Sequence, residues 1–416
     1  MPVPFQSRDG LLGFDSQTCQ GLMRWTEQFD HVIMASPLMP AAQEQVQPSL
    51  NWQAVATLPC AGQLTLVPLP WAYGLTDFLL SYRRTRQQLG QIIDRADYLC
   101  FSPSTLIGDW PALAAQEAQR QDRPYSIWID RVEYDITWRT IHSEPWYNQL
   151  KYLVMVPLMR YYQHSIVRRS HLGLFQGQET FSVFQGDCPN SYCVYDVHTS
   201  RADQISMEQL QPKLDALAAQ VPLRICYMGR AAEMKGPLDW VRAIHRIHQA
   251  GLEVEATWLG DGPLFGEMKA LAEKLGVASI IEMPGFVGEH HVVLDQMRRH
   301  HLLMFCHKTP ESPRCLVESL VVGTPIAGYG SAYPEGLVAD HGGGEFVPLH
   351  QWQQLADRVI ELAQDRDRLC QLVRAAARSG QQFSEEDVFA HRSELLRQHL
   401  PLPGSAQAPG LSGAVG

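Results

Sequence analysis

Gly229-Arg230 and Lys235-Gly236 place two cations in one short turn between an apolar run and a helical stretch. Glycine at 229 lets the backbone approach a ligand closely. Arg230 and Lys235 then stand where the amino end of a following helix already favours anions. That combination suits a diphosphate; the plainer reading is a pair of solvated surface cations. A second group lies in residues 306–338, CHKTPESPRCLVESLVVGTPIAGYGSAYPEGLV. Ser312 followed by Pro313 predicts an N-cap and a first helical position. The backbone N–H groups of Ser312, Arg314 and Cys315 then face whatever lies beyond the preceding strand, and Arg314 adds a cation. Glu318, on the second turn, can accept two hydrogen bonds from a ribose diol. Glu311, just before the helix, is in reach of a sugar hydroxyl or serves as partner to the helix dipole. In the first half, Asp130 closes the run IWID, where it orients a substrate hydroxyl or caps a helix. Asp9-Gly10 stands where a phosphate-binding turn would fall.

These residues need a scaffold of strands that end beside helix starts. The first half offers short apolar runs at 29–37, 63–70, 96–103, 125–131 and 171–177, with helical stretches at 15–28, 77–93 and 111–121. The second half repeats the pattern at 222–229, 253–260, 278–285, 302–306 and 324–328, interleaved with helices near 236–250, 263–275, 289–300 and 313–322. Helices at 351–363 and 384–399 follow. Strands alternating with helices imply βαβ units and a parallel sheet, whose buried strands read as continuous apolar runs. Residues 199–221 read as a linker between the halves. At the start of the chain only PVPFQSRDGLLGF stands where a first strand and glycine-rich turn belong, so that strand is short or missing.

The chain of 416 residues exceeds the usual size of one core, which predicts two domains. Expected boundaries are 1–200, 201–383, a helix at 384–400 and a disordered Pro/Gly/Ala tail at 401–416. Thirty-four basic against 44 acidic residues leave a net charge of −10, which argues against a nucleic-acid partner. Nine scattered cysteines without a C-x-x-C pair predict reduced thiols and no zinc site. MPVPFQSRDG lacks the basic and apolar regions of a signal peptide. The longest apolar run is about eight residues, against roughly 20 for a membrane span. Against the acidic balance, residues 145–178 contain no Asp or Glu. They interleave Lys151, Arg160, Arg168 and Arg169 with Trp146, Tyr147, Tyr152, Tyr161 and Tyr162. One reading is contact with a membrane surface. The plainer one is an amphipathic helix with Leu153, Val156 and Leu158 in the core.

The stretches MGRAAEMKGPLDWVRAI, LGDGPLFGEMKALAEKLGV, IIEMPGFV and ESPRCLVESLVVGTPIAGYGSAYPEGLV follow in order over 222–363. In them the second half resembles the donor domain of retaining GT-B glycosyltransferases, the large bacterial group 1 family. That resemblance implies an α/β GT-B fold, two Rossmann-like domains facing across a cleft. It implies a hexosyltransferase taking a nucleotide diphosphate sugar to a glycan or lipid-linked acceptor, with retention. No D-x-D motif stands in a suitable loop, so no metal is expected, and no cofactor. Donor-binding residues would be Gly229, Arg230, Lys235, Phe286, Ser312, Arg314, Cys315 and Glu318; Glu311 and Asp130 would be catalytic. The family keeps seven residues between its two glutamates; here six, 312–317, separate Glu311 from Glu318. It also often has a His where IWIDRVEYD offers Asp130 and Glu133. A sugar-nucleotide epimerase or a catalytically silent partner subunit are the alternatives. The expected location is cytoplasmic, with peripheral contact at an inner membrane.

Overall fold

The apolar runs at 172–176, 302–305 and 326–329 fold as strands buried along their whole length, as parallel strands covered on two faces require. The computed structural model describes residues 3–46, 52–104, 106–141, 146–309 and 312–402. Two units emerge: residues 1–176, 180–194 and 389–416 form the first, and residues 177–179 and 195–388 the second. The expected tail at 401–416 lies outside the described residues from 403 onward.

The first unit opens with β1 (Gln6–Arg8), β2 (Leu11–Asp15), α1 (Ser16–Thr26), β3 (Val32–Pro37), α2 (Ala41–Val46), β4 (Trp52–Ala54) and β5 (Leu64–Leu69). Next come α3 (Leu75–Arg95), β6 (Cys100–Phe101), α4 (Trp110–Arg120), β7 (Ser126–Ile129), α5 (Glu133–Thr140) and α6 (Trp146–Arg168). β8 (Leu172–Gln176), α7 (Gly177–Phe184), whose first three residues fall in the second unit, and β9 (Ser191–Val194) complete the run. Strands β6-β7-β8-β9 form one parallel sheet, and β3 pairs in parallel with β5. The first strand is reduced to Phe5, bridged in parallel to Leu38. Beyond it β1 and β2 form an antiparallel hairpin that joins β4. Asp9 and Gly10, at φ of 53° and 78°, are that hairpin's two-residue turn, so the phosphate turn expected there does not exist. Of Leu153, Val156 and Leu158, expected as core, only Val156 is buried.

The second unit runs α8 (Met207–Ala218), β10 (Leu223–Met228), α9 (Pro237–Gln249), β11 (Val254–Leu259), α10 (Phe265–Lys274), β12 (Ile281–Gly285) and α11 (His290–Arg299). It continues with β13 (Leu302–Phe305), α12 (Arg314–Val321), β14 (Ile326–Tyr329), α13 (Ala332–Leu337), β15 (Gly344–Val347), α14 (Trp352–Gln364) and α15 (Arg366–Gly380). Helix α16 (Glu385–His399) starts in this unit and ends in the first. All six strands are parallel, in the order β12-β11-β10-β13-β14-β15. Trp240 of α9 and Trp258 of β11 meet edge to face at 5.4 Å in the core, where Leu316 and Leu320 of α12 are also buried. The supposed linker is largely helix: α8 buries Leu210, Leu214 and Leu217 in this core. Its start is a capping box, in which the Gln209 N–H donates to Ser206 Oγ and the Ser206 N–H to Gln209 Oε1. Buried Lys213 donates from the same helix to the Gly323 carbonyl at 3.1 Å and to Thr324 Oγ1 at 2.6 Å. Burial pulls its pKa down to about 7. No disulfide joins the cysteines among the described residues.

Candidate functional site

Strand order places the chemistry. From β10 the chain moves outward to β11 and β12, then crosses back to β13 and moves the other way. Loops leaving the carboxyl ends of β10 and β13 therefore diverge, which opens a crevice at that switch point. The first of these loops holds Gly229, Arg230 and Lys235; the second leads through His307 and Lys308 to Ser312.

The two loops are fastened together. Gly236 takes the left-handed conformation at φ 62°, and a Cβ there would lie 2.3 Å from the Cys306 carbonyl oxygen. That close approach seats Pro237 as the first residue of α9. The Lys308 N–H donates to the Met234 carbonyl at 2.8 Å, and its Nζ reaches Glu233 Oε1 at 2.7 Å. Lys308 also stands 3.7 Å from Asp239, a buried carboxylate that accepts from Tyr329 and Arg242. His307 is buried, its Nε2 2.7 Å from the Tyr227 hydroxyl. Burial, and then the charge of Lys235, hold the His307 pKa well below the ordinary imidazole value. The imidazole is therefore neutral, and the positive charge of this corner rests on Arg230, Lys235 and Lys308. Arg230 is exposed and Lys235 half-buried.

Helix α12 begins at Arg314, with Pro313 as N-cap and no side-chain cap. Ser312 thus stands one residue outside the cap, a shift from the expected Ser312 cap. The Leu316 N–H bonds back to the Pro313 carbonyl at 3.2 Å. Arg314 is exposed and Cys315 buried at this helix start. Glu318 follows one turn on, its carboxylate 3.0 Å from His290 Nε2 at the start of α11. That hydrogen bond raises the His290 pKa against the opposing effect of burial. The loop before α11 carries Phe286, 68% exposed, just past the end of β12. Gly229, Arg230, Lys235, Ser312, Arg314, Cys315, Glu318 and Phe286 therefore all belong to carboxyl-end loops or the helices they open. Glu311 lies outside the described residues. Asp130 belongs to the first unit, exposed at the carboxyl end of β7. It does not cap α5, whose N-cap is Val132; Glu133 pairs with Arg131 at 2.7 Å. Among the described residues no group of three or more His, Cys, Asp or Glu could hold a metal.

Sequence reasoning missed His290, His307, Lys308 and Tyr227. A histidine directly after a strand, as in FCHK, was the available signal for His307 and Lys308. His290 had none, because its partner is 28 residues away.

Two α/β units, the second a six-stranded parallel sheet in dinucleotide-fold order, have the architecture of the GT-B glycosyltransferases. Anabaena HepE, solved with UDP, superposes with a TM-score of 0.62 at 14% identity over 92% of this chain and 96% of its own. Sucrose-phosphate synthase of Thermosynechococcus elongatus gives 0.62 at 12% identity over 95% of each chain. WaaG, a glycosyltransferase of lipopolysaccharide biosynthesis, gives 0.56 at 14% over 94% and 98%. Residues 216–379 match the family described as Glycosyl transferases group 1. The Escherichia coli (strain K12) protein assigned as colanic acid biosynthesis glycosyltransferase WcaL is 27% identical over 201 residues, 46% of this chain and 49% of that one. The 2-deoxystreptamine glucosyltransferase of Streptomyces kanamyceticus is 26% identical over 160 residues, 37% and 41% of the two chains. The chain spans about half the length of the curated relatives it matches.

Proposed function

We propose that this protein transfers a hexose from a nucleotide diphosphate sugar to a glycan or lipid-linked acceptor, with retention of configuration. The observation that carries this is the switch point between β10 and β13, where a loop bearing two cations faces a loop that opens a helix. Arg230, Lys235 and the amino end of α12 at Ser312, Arg314 and Cys315 take the diphosphate. They stabilise the charge that builds on it as the sugar leaves. Glu318 accepts from the ribose diol, and the backbone around Gly285 and Phe286 meets the base. Glu311 touches the donor sugar, and Asp130 orients the acceptor hydroxyl. The second unit is then the donor side and the first the acceptor side. HepE was solved with UDP-glucose, which makes a uridine donor the first to test. The colanic acid and lipopolysaccharide relatives support a polysaccharide or lipid-linked glycan as acceptor.

A thermal-shift screen of nucleotide sugars tests the reading. A donor at a hundred times its dissociation constant stabilises by about 2.7 kcal/mol. Loss of one charge-assisted contact in Lys235→Ala or Arg230→Ala weakens that donor by roughly ten- to a hundredfold, with the ligand-free melting point unchanged. Silence toward every nucleotide sugar, or full affinity in both variants, overturns it.

A further inference from the structure

Helix α6 is apolar on two opposite sides. One side is buried in the first unit through Val156, Met159 and Ile166. The other carries Trp146, Leu150, Leu153, Val154, Leu158 and Tyr161, all exposed; Trp146 and Val154 each expose 72% and Tyr161 71%. At 3.6 residues per turn these six fall within an arc of about 140°, in a stripe about 22 Å long. Lys151 borders the stripe on one edge and Arg160 on the other, both exposed. Trp138 of α5, which packs along α6, is exposed as well. Single exposed apolar residues are ordinary on a protein surface, but a continuous stripe on one helix face marks a contact site.

We propose that the outward face of α6 is a docking surface for an anionic lipid bilayer. Charge decides the occupant. The chain carries a net charge of −10, yet residues 145–178 hold no acidic side chain. An acidic protein that clears one helix face of carboxylates and edges it with cations has removed its repulsion from a negative surface there. Trp146 and Tyr161 end the stripe with rings whose polar atoms suit the headgroup layer. A helix of this kind lies in the plane of the interface with its apolar side sunk to about 5–10 Å. No helix among the described residues is long and apolar enough to cross a membrane, so the contact is a surface one. The inference goes beyond the transferase reading and stands apart from it, because lipid binding is measured without any donor.

Full-length protein is sedimented with vesicles of phosphatidylcholine alone and of phosphatidylcholine and phosphatidylglycerol in equal parts. Binding is expected on the mixed vesicles and falls with added salt. K151Q/R160Q lowers partition into mixed vesicles by about 25-fold, at roughly fivefold per charge removed. Val154→Glu abolishes binding; L150S/V154S, milder in charge, does the same, and both keep the wild-type melting point because the positions are exposed. Absence of sedimentation with either vesicle overturns the proposal. So does binding that survives all three variants. A concentration-dependent dimer that Val154→Glu dissolves, without lipid binding, assigns the stripe to a second copy of the chain instead.

Discussion

Glu318 accepts a hydrogen bond from His290 at 3.0 Å. Asp203 and Glu385 add to the negative surroundings that raise the His290 pKa. The folded pKa is raised above the unfolded one. The pair therefore stabilises fully below the unfolded value, about 6.5, and the contribution fades as pH rises through the folded pKa. His290→Asn is expected to cost under about 1 kcal/mol at pH 6, since the imidazole is partly exposed, and progressively less as pH rises through the folded pKa toward pH 9. Melting curves across that range check it. On the transferase reading the ribose diol competes with His290 for one carboxylate. Donor affinity then rises with pH in the wild type and stays flat in His290→Asn, as titration calorimetry at several pH values would register. Gly236 is the other residue whose chemistry is dictated locally. Gly236→Ala combines an unfavourable φ with a clash on the Cys306 carbonyl, and should lower the urea-unfolding free energy by about 1–3 kcal/mol. An unchanged midpoint would show that the two loops are not clamped there.

Elements were legible in proportion to how completely they are buried. LRICYM, VEATWL and LLMF are covered on both faces, so their apolar runs announced parallel strands within a residue or two of their ends. The hairpin β1–β2 escaped notice because its strands have three and five residues, too short for alternation to show. Its Asp9-Gly10 turn is visible in the sequence, but the same dipeptide also suits a phosphate loop. Helix α8 hid behind a polar composition, although Ser206 and Gln209 carried the capping box that marks its start. That helix holds a further prediction. Lys213 has a folded pKa near 7 against 10.5 for the free side chain. The unfolded chain thus binds more protons between those values, and stability rises with pH across that window. Lys213→Met should remove the rise, measured as unfolding free energy at pH 7 and pH 9. Persistence of the same slope in the variant would place its origin elsewhere. The placement of Arg230, Lys235 and Glu318 was legible because a strand end or a helix start flags each of them. Pairings such as Tyr227 with His307 arise only when distant strands are brought side by side.

At the scale of the whole molecule, the end of the chain is structural to its beginning. Leu395, Leu396 and Leu400 of the last helix and its exit are buried with Leu172, Leu174 and Val194 of the first unit. Arg392 stacks 4.0 Å over Trp128 in the same unit. Leu396→Ala should destabilise the first unit by about 2–5 kcal/mol. Calorimetry should find the second unit's transition in place, because its core draws on other residues. A loss of both transitions together would mean the two cores unfold as one.

The partners at the switch point, Ile225 and Leu302, are far apart along the backbone. Bringing them together requires closing a long loop before any pairing compensates the lost chain entropy. A nascent chain emerging from the ribosome can therefore finish β10, β11 and β12 and still lack the crevice altogether. On the transferase reading, nucleotide added during refolding should bind only once β13 has docked, and a chain stopped before Leu302 should never bind it.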